Sequence, residues 1–391
     1  MFITACGGSS NDTSNTTEDS MPEIVGALPD VAAFSDEHRG VVVANFAGND
    51  PRSTSARNQL LAALDHDIDA RVTIQDMGMV RDLATQYNAA MIVWAGADER
   101  ALAIAFDAPQ AALPMTPAGT AVYLPPGADA DYGAAFALGY IYGQRGDFAA
   151  ALTELDRAVN LLDPDNVAAM SGANLYLLRG SVHRAAGNTD AALADFLQAE
   201  AIAPRLGVIP ANRADLHLTQ RDYAAAITDY TAAIARGTTT AEVSYGRGLA
   251  YFETDDYDAA LSDLNGAIAA NPGWWRPYLT RGSTYAQVAD YENALTDYNT
   301  ALDLNPSSIT ARYGRGFVYM QVEAYGGAIT DLTRVIEQAP EYADAYLLRG
   351  SAYLALNQGE LALADFQQLE ALTGSLPADI QATVATLQAG E

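Results

Sequence analysis

Between residues 132 and 376 the small and apolar residues return on a 34-residue period. Setting the recurrent glycine at position 8 (Ala214 in the third copy) brings seven copies into register: 132–172, 173–206, 207–240, 241–274, 275–308, 309–342 and 343–376. Position 11 is then Tyr142, His183, His217, Tyr251, Tyr285, Tyr319 and Tyr353, and position 20 is alanine throughout, from Ala151 to Ala362. Position 24 is Leu155, Phe196, Tyr230, Leu264, Tyr298, Leu332 and Phe366. Small residues at 8 and 20 let two helices approach, and aromatics at 11 and 24 fill the remaining space. Pro204, Pro272, Pro306 and Pro340 at position 32 stop the second helix. A helix-turn-helix unit of this size cannot bury its own apolar face, so the pattern predicts an all-α solenoid of stacked units. The first copy is longer, with its extra residues near 163–172, and 377–391 reads as a capping helix over Pro377–Gln388.

The periodicity changes upstream, over 36–126. Val41–Phe46 is a continuous β-branched run, and Arg71–Ile74, Met91–Trp94, Leu102–Phe106 and Ala121–Leu124 are further strand candidates. Between them, Ser53 or Thr54 is placed to cap a helix carrying Leu60, Leu61 and Leu64, and Met79–Tyr87 has a helical pattern. Strands alternating with helices predict a small α/β sandwich-type domain. Residues 1–35 form a polar leader and linker, and the prolines from Pro109 to Pro126 lead into a short link at 127–131.

Three resemblances follow from these residues. The seven copies are similar to the tetratricopeptide repeat, which implies a right-handed superhelix with a protein or peptide partner in a concave groove. Val42-Val43-Ala44-Asn45-Phe46 and Ala89–Gly96 resemble the TolB amino-terminal-like domain, which serves assembly and partner contact. Ile3-Thr4-Ala5-Cys6 followed by a Ser/Asn/Thr-rich run resembles the end of a bacterial lipoprotein signal and its tether. That resemblance implies a lipid on Cys6 and an extracytoplasmic place at the bacterial cell envelope. The charged and apolar regions of such a signal are missing ahead of Cys6, and the other reading is a polar terminus with a chance cysteine.

Composition narrows the partners. The net charge is −28 and all 21 basic residues are arginine. That argues against nucleic acid and against direct adhesion to anionic lipid, both of which need basic patches. Without lysine there is no Schiff-base or phosphate-loop lysine. With Cys6 the lone cysteine, there is no internal disulfide and no thiolate zinc cluster. No apolar run is long enough to span a bilayer.

Candidate chemistry lies in the repeats. At 100° per residue, positions 2, 5, 9, 12 and 13 fall opposite positions 7, 8 and 11. They supply Tyr245, Leu249, Phe252, Glu253, Arg276, Tyr313, Phe317, Met320 and Gln321 as partner-binding residues. Position 7 is arginine and position 23 aspartate in six copies. The pairs are Arg179 with Asp195, Arg213 with Asp229, Arg247 with Asp263, Arg281 with Asp297, Arg315 with Asp331 and Arg349 with Asp365. In the first copy both positions change, to Leu138 and Glu154. The joint change predicts a ladder of structural ion pairs. His183 and His217 sit at the aromatic packing position, which disfavours a catalytic or metal role. Gly246-Arg247-Gly248 and Gly314-Arg315-Gly316 imitate a dinucleotide fingerprint without its third glycine or preceding strand. Asp65-His66-Asp67 offers metal-type side chains, but neighbours on a helix diverge, and His38 reads as a surface residue. The expectation is a non-enzymatic scaffold with no cofactor, and the alternative is a small-molecule or enzymatic site in the α/β segment.

Overall fold

The computed structural model describes residues 41–45, 68–73, 91–95, 102–106, 122–123, 130–162 and 169–389. They divide into two compact units, 1–185 and 186–391.

In the first unit, β1 (Val41–Asn45), β2 (Ile68–Thr73), β3 (Met91–Ala95), β4 (Leu102–Phe106) and β5 (Val122–Tyr123) form one sheet in the order β2-β1-β3-β4-β5. β1 lies between two parallel neighbours, with Val42 opposite Ile68 and Val43 opposite Val93. β3–β4 and β4–β5 are antiparallel, pairing Ile92 with Ala105 and Ile104 with Val122. The second strand starts at Ile68 rather than at Arg71. The helices expected at Leu60–Leu64 and Met79–Tyr87 lie outside the described residues, as do Cys6, His38 and His66.

The same unit holds α1 (Ala130–Gln144), α2 (Phe148–Asn160) and α3 (Ala169–Ala185). Tyr132, Phe136, Ile141, Leu155, Leu175, Leu178 and Val182 are all but fully buried in their common core. α3 is longer than the later first helices and absorbs part of the extra length of the first copy.

The second unit contains α4 (Thr189–Ile202), α5 (Val208–Thr219), α6 (Tyr223–Ala235), α7 (Ala241–Glu253), α8 (Tyr257–Ala270) and α9 (Trp275–Gln287). It continues with α10 (Tyr291–Leu304), α11 (Ile309–Gln321), α12 (Tyr325–Gln338), α13 (Ala343–Ala355), α14 (Gly359–Thr373) and α15 (Ala378–Ala389). From α5 on, odd-numbered helices up to α13 are the first helices of repeats and even-numbered ones the second. Each first helix packs on its own second helix and on that of the preceding repeat, and successive first helices touch. α15 closes the end, where Leu376 and Ile380 join Tyr346, Phe366 and Leu369 in one cluster.

One turn geometry recurs. Position 15 has positive φ in every repeat, at Gly146 and Gly187 and then at Arg221, Asp255, Ala289, Glu323 and Asn357. The next amide donates back to the carbonyl of position 11, as Asp256 does to Tyr251 at 3.0 Å and Asp290 to Tyr285 at 2.9 Å. That is the closure of a helix by a left-handed residue. The same Asp256 then caps the second helix by accepting from the Ala259 amide at 3.2 Å, and Asp147, Asp222 and Asp290 do likewise. A few residues thus end one helix and start the next, which fixes the angle between them.

Candidate partner-binding face and the arginine ladder

Position 7 puts an arginine on the packed side of the first helix. Arg281 donates from Nε to Asp297 Oδ2 and from Nη2 to Oδ1, both at 2.7 Å. The fork is repeated by Arg213 on Asp229, by Arg247 on Asp263, by Arg315 on Asp331 and by Arg349 on Asp365. Every one of these bonds is between 2.6 and 2.9 Å. The carboxylate is the more deeply placed partner: the Asp297 side chain is 4 % exposed and the Arg281 side chain 19 %. Asp331 and Asp365 are buried to a similar depth, while Asp263 is slightly more open. Hydrogen bonding to the aspartate holds each of these guanidiniums above its ordinary pKa, outweighing the opposing effect of burial. Of the sixth expected pair, Asp195 lies in the second unit and Arg179 in the first, where Arg179 donates to Asp156 at 2.8 Å.

The remaining nitrogen, Nη1, reaches back to the second helix of the preceding repeat. Its acceptors are Thr231 for Arg247 (3.2 Å), Asn265 for Arg281 (2.5 Å), Asn299 for Arg315 (2.7 Å) and Thr333 for Arg349 (3.0 Å). All four occupy position 25, as does Asp156 in the first copy. In the second copy that position is the exposed Leu197, and Arg213 turns instead to Glu200, which also receives Arg236 at 2.7 Å. Each arginine therefore ties its own two helices together and ties both to the unit before. Tyrosines at positions 4 and 11 cover the guanidinium: Tyr278 and Tyr285 lie 5.7 and 5.9 Å from Arg281, and Tyr346 and Tyr353 lie 5.9 and 5.8 Å from Arg349.

The double glycines have a packing cause. A Cβ on Gly316, at position 8, would meet Leu332 Cγ of its own unit at 3.2 Å. A Cβ on Gly314, at position 6, would meet the Tyr298 ring of the preceding unit at 2.6 Å. Tyr230 stands in the same way against Gly246. Where position 24 is Phe196, Leu264 or Leu332, without a hydroxyl, position 6 of the next repeat is Asn212, Thr280 or Leu348. The buried hydroxyls are satisfied at position 9, by Asp215 for Tyr230 (2.5 Å) and by Ser283 for Tyr298 (3.0 Å).

The expected partner-binding residues lie on the opposite side of the first helices, in three states. Phe317, Glu253, Arg276 and Gln321 are exposed, Phe317 at 37 %. Leu249 is half-buried, and Met320 packs partly against the core of the last two repeats. Tyr245 meets Trp274 edge-on at 4.7 Å, Tyr313 meets Tyr342 at 5.0 Å and Phe252 meets Tyr257 at 6.2 Å. Burial pushes the Tyr313 hydroxyl up to about 12. Glu253 accepts from the Tyr223 hydroxyl at 3.1 Å, and Arg276 lies 5.7 Å from the Trp275 ring. Trp274 and Tyr342, at position 34, were not anticipated. They precede the next helix and prop the position-5 aromatic of their own repeat.

Two family models, each described as tetratricopeptide repeat, match the chain: one over 136–206 and 212–273, the other over 282–349. The array is a tetratricopeptide-repeat solenoid. Solved structures are similar to parts of the chain. A tetratricopeptide repeat protein from Parabacteroides merdae is 22 % identical, covering 66 % of this chain and 99 % of its own, with a TM-score of 0.48. PilF of Pseudomonas aeruginosa is 19 % identical, covering 57 % and 99 %, at 0.48. YrrB, described as a tetratricopeptide protein with an unusual peptide-binding site, is 20 % identical, covering 50 % and 97 %, at 0.43. No curated protein matches the chain as a relative.

Within the tetratricopeptide frame the remaining polar candidates take up packing positions. His217 replaces the position-11 tyrosine; its Nε2 lies 3.6 Å from Asp229 Oδ2, and its buried Nδ1 has no hydrogen-bond partner. His183 is half-buried at the same position of the second repeat. Gly246-Arg247-Gly248 is a notch, a ladder arginine bound to Asp263 and a helix-crossing glycine. Among the described residues no group of three or more His, Cys, Asp or Glu side chains could hold a metal ion. No described helix is long and apolar enough to cross a membrane.

Proposed function

We propose that this chain is a non-enzymatic interaction scaffold that holds a protein or extended peptide on the first-helix face of its repeats. The tetratricopeptide solenoid supports the scaffold role, since such repeats bind protein or peptide partners. The observation that carries the site is Phe317, a large ring left exposed at position 9 on the face opposite the ladder. Contiguous exposed apolar patches mark interaction sites, and aromatics dominate binding energy at interfaces. Tyr245 and Tyr313, propped by Trp274 and Tyr342, give that face fixed aromatic walls. The wider reading places the scaffold at the bacterial cell envelope, tethered through a lipid on Cys6, with the sheet of 36–126 as an α/β contact module. It rests on the Ile3-Thr4-Ala5-Cys6 sequence and the polar run after it.

Affinity capture from an envelope extract tests the site. The parent should recover a protein that Phe252→Ala/Phe317→Ala recovers at least ten-fold less, with unchanged helicity by circular dichroism. Equal recovery by the two sinks the groove. The anchor is tested separately: Cys6→Ser should move the protein from the membrane fraction to the soluble one, and indifference to that substitution removes it.

A further inference from the structure

Val288, Val322 and Leu356 occupy position 14 of three successive repeats, and they stand exposed at 47, 42 and 41 %. Position 14 caps the C-terminus of the first helix. The three therefore lie along the edge made by the turns within repeats, away from the ladder. The turn does not require them, because the third and fourth repeats build it with Gln220 and Thr254. Successive first helices touch, and the axes of packed helices lie about 8–10 Å apart, so neighbouring position-14 residues are expected at roughly that spacing. The same edge is acidic. Asp258, Glu292 and Glu323 are exposed, and no arginine occurs over 254–258, 288–292, 322–326 and 356–360. Asp258 and Glu292 lie in the first turn of a second helix, where the helix dipole favours a carboxylate. Glu323, at position 15 with a φ of 59°, has no such reason to be there.

We infer that this edge is a second docking surface, separate from the first-helix face, and that its occupant is a basic amphipathic segment of another protein. Aliphatic side chains of the segment seat against Val288, Val322 and Leu356, and its cations meet the flanking carboxylates. The charge selects the occupant. At −28 a second copy of this chain is repelled, and an acidic or neutral segment leaves the carboxylates facing no cation. A spacing of about 10 Å matches residues seven apart on a helix rising about 1.5 Å per residue.

The probe is a synthetic helix of about 20 residues with leucine at every seventh position and lysines on either side of that stripe. Its control replaces each lysine with glutamate. The parent should bind the lysine peptide with an affinity that falls steeply with salt. Val288→Ser/Val322→Ser/Leu356→Ser should weaken it at least ten-fold, while Phe252→Ala/Phe317→Ala binds as the parent does. Asp258→Asn/Glu292→Gln/Glu323→Gln should weaken it and flatten the salt dependence, and this arm decides the matter should the serine variant lose helicity. The proposal is overturned by equal affinity of the serine variant and the parent, or by equal binding of the glutamate peptide. It is also overturned if light scattering gives a parent dimer that the serine variant abolishes, since the occupant is then a second copy. Loss of capture by the phenylalanine variant with retained peptide binding separates the two surfaces.

Discussion

The Tyr298 ring fills the space that a side chain on Gly314 would need: a Cβ there would lie 2.6 Å from Cζ and 2.8 Å from the hydroxyl oxygen. The two belong to adjacent repeats. Gly314→Ala should therefore destabilise by about 1–3 kcal/mol, the range for overpacking a filled site, although alanine in a helix is otherwise favoured over glycine by about 1 kcal/mol. In a Tyr298→Leu background, the residue used at that position in the fourth and sixth repeats, the same substitution should be neutral or stabilising. Urea midpoints for the four combinations test this. A Gly314→Ala effect of the same sign in both backgrounds removes the notch.

This relation shows which parts of the molecule were readable in the sequence. The helix pair and its small-residue crossing repeat at each copy, so the 34-residue period displays them directly. The pairing of position 7 with position 23, as in Arg315 with Asp331 and Arg349 with Asp365, could be read because the two change together in the first copy, to Leu138 and Glu154. The acceptors at position 25 were missed because threonine, asparagine and aspartate serve equally well there, and a carbonyl or hydroxyl leaves no recurrent letter. The notch was missed because it needs Tyr230 with Gly246 and Tyr298 with Gly314, across a repeat boundary and in two copies out of seven. Among the partner-binding residues, sequence geometry chose the side of the helix. It could not tell exposed Phe317 from Met320, because neighbouring side chains decide that.

Arg281→Ala should cost about 3–5 kcal/mol, the range for breaking a buried pair, since it strands the Asp297 carboxylate at 4 % exposure. It should also loosen the join to the preceding repeat, where Nη1 meets Asn265. Arg281→Lys keeps the charge but loses the two-toothed bond, and should recover less than half of the loss. Asn265→Ala alone should cost about 1 kcal/mol or less. Thermal and urea unfolding of the three variants measure this ordering. An Arg281→Ala effect below about 1 kcal/mol would place the ladder with surface ion pairs.

Glu200 sets a pH dependence. Burial alone raises its pKa, but the hydrogen bonds and charges of Arg236 and Arg213 together bring it below the ordinary glutamate value. A carboxyl with a lower pKa folded than unfolded adds stability above its unfolded pKa and loses it as pH falls through the folded value. Glu200→Gln should thus lower the urea midpoint at neutral pH, and the gap to the parent should close on acidification through and below the carboxylate range. A gap that stays constant to low pH contradicts the arrangement.

The left-handed turn offers a gain. Ala289 has a φ of 58°, and the first two repeats use glycine at the equivalent Gly146 and Gly187. An L-residue in this conformation carries a penalty of about 1–2 kcal/mol from its Cβ. Glycine escapes that penalty but costs roughly 0.5–1 kcal/mol in unfolded-chain entropy. Ala289→Gly should therefore stabilise by up to about 1 kcal/mol, and Glu323→Gly, at 59°, should act in the same direction. Ala269→Gly, an exposed position near the end of α8, serves as the control and should destabilise by up to about 1 kcal/mol. The opposite signs separate backbone conformation from any general effect of glycine. Melting temperatures for the three single variants decide it, and a fall for Ala289→Gly matching that for Ala269→Gly would show that the turn gains nothing from glycine.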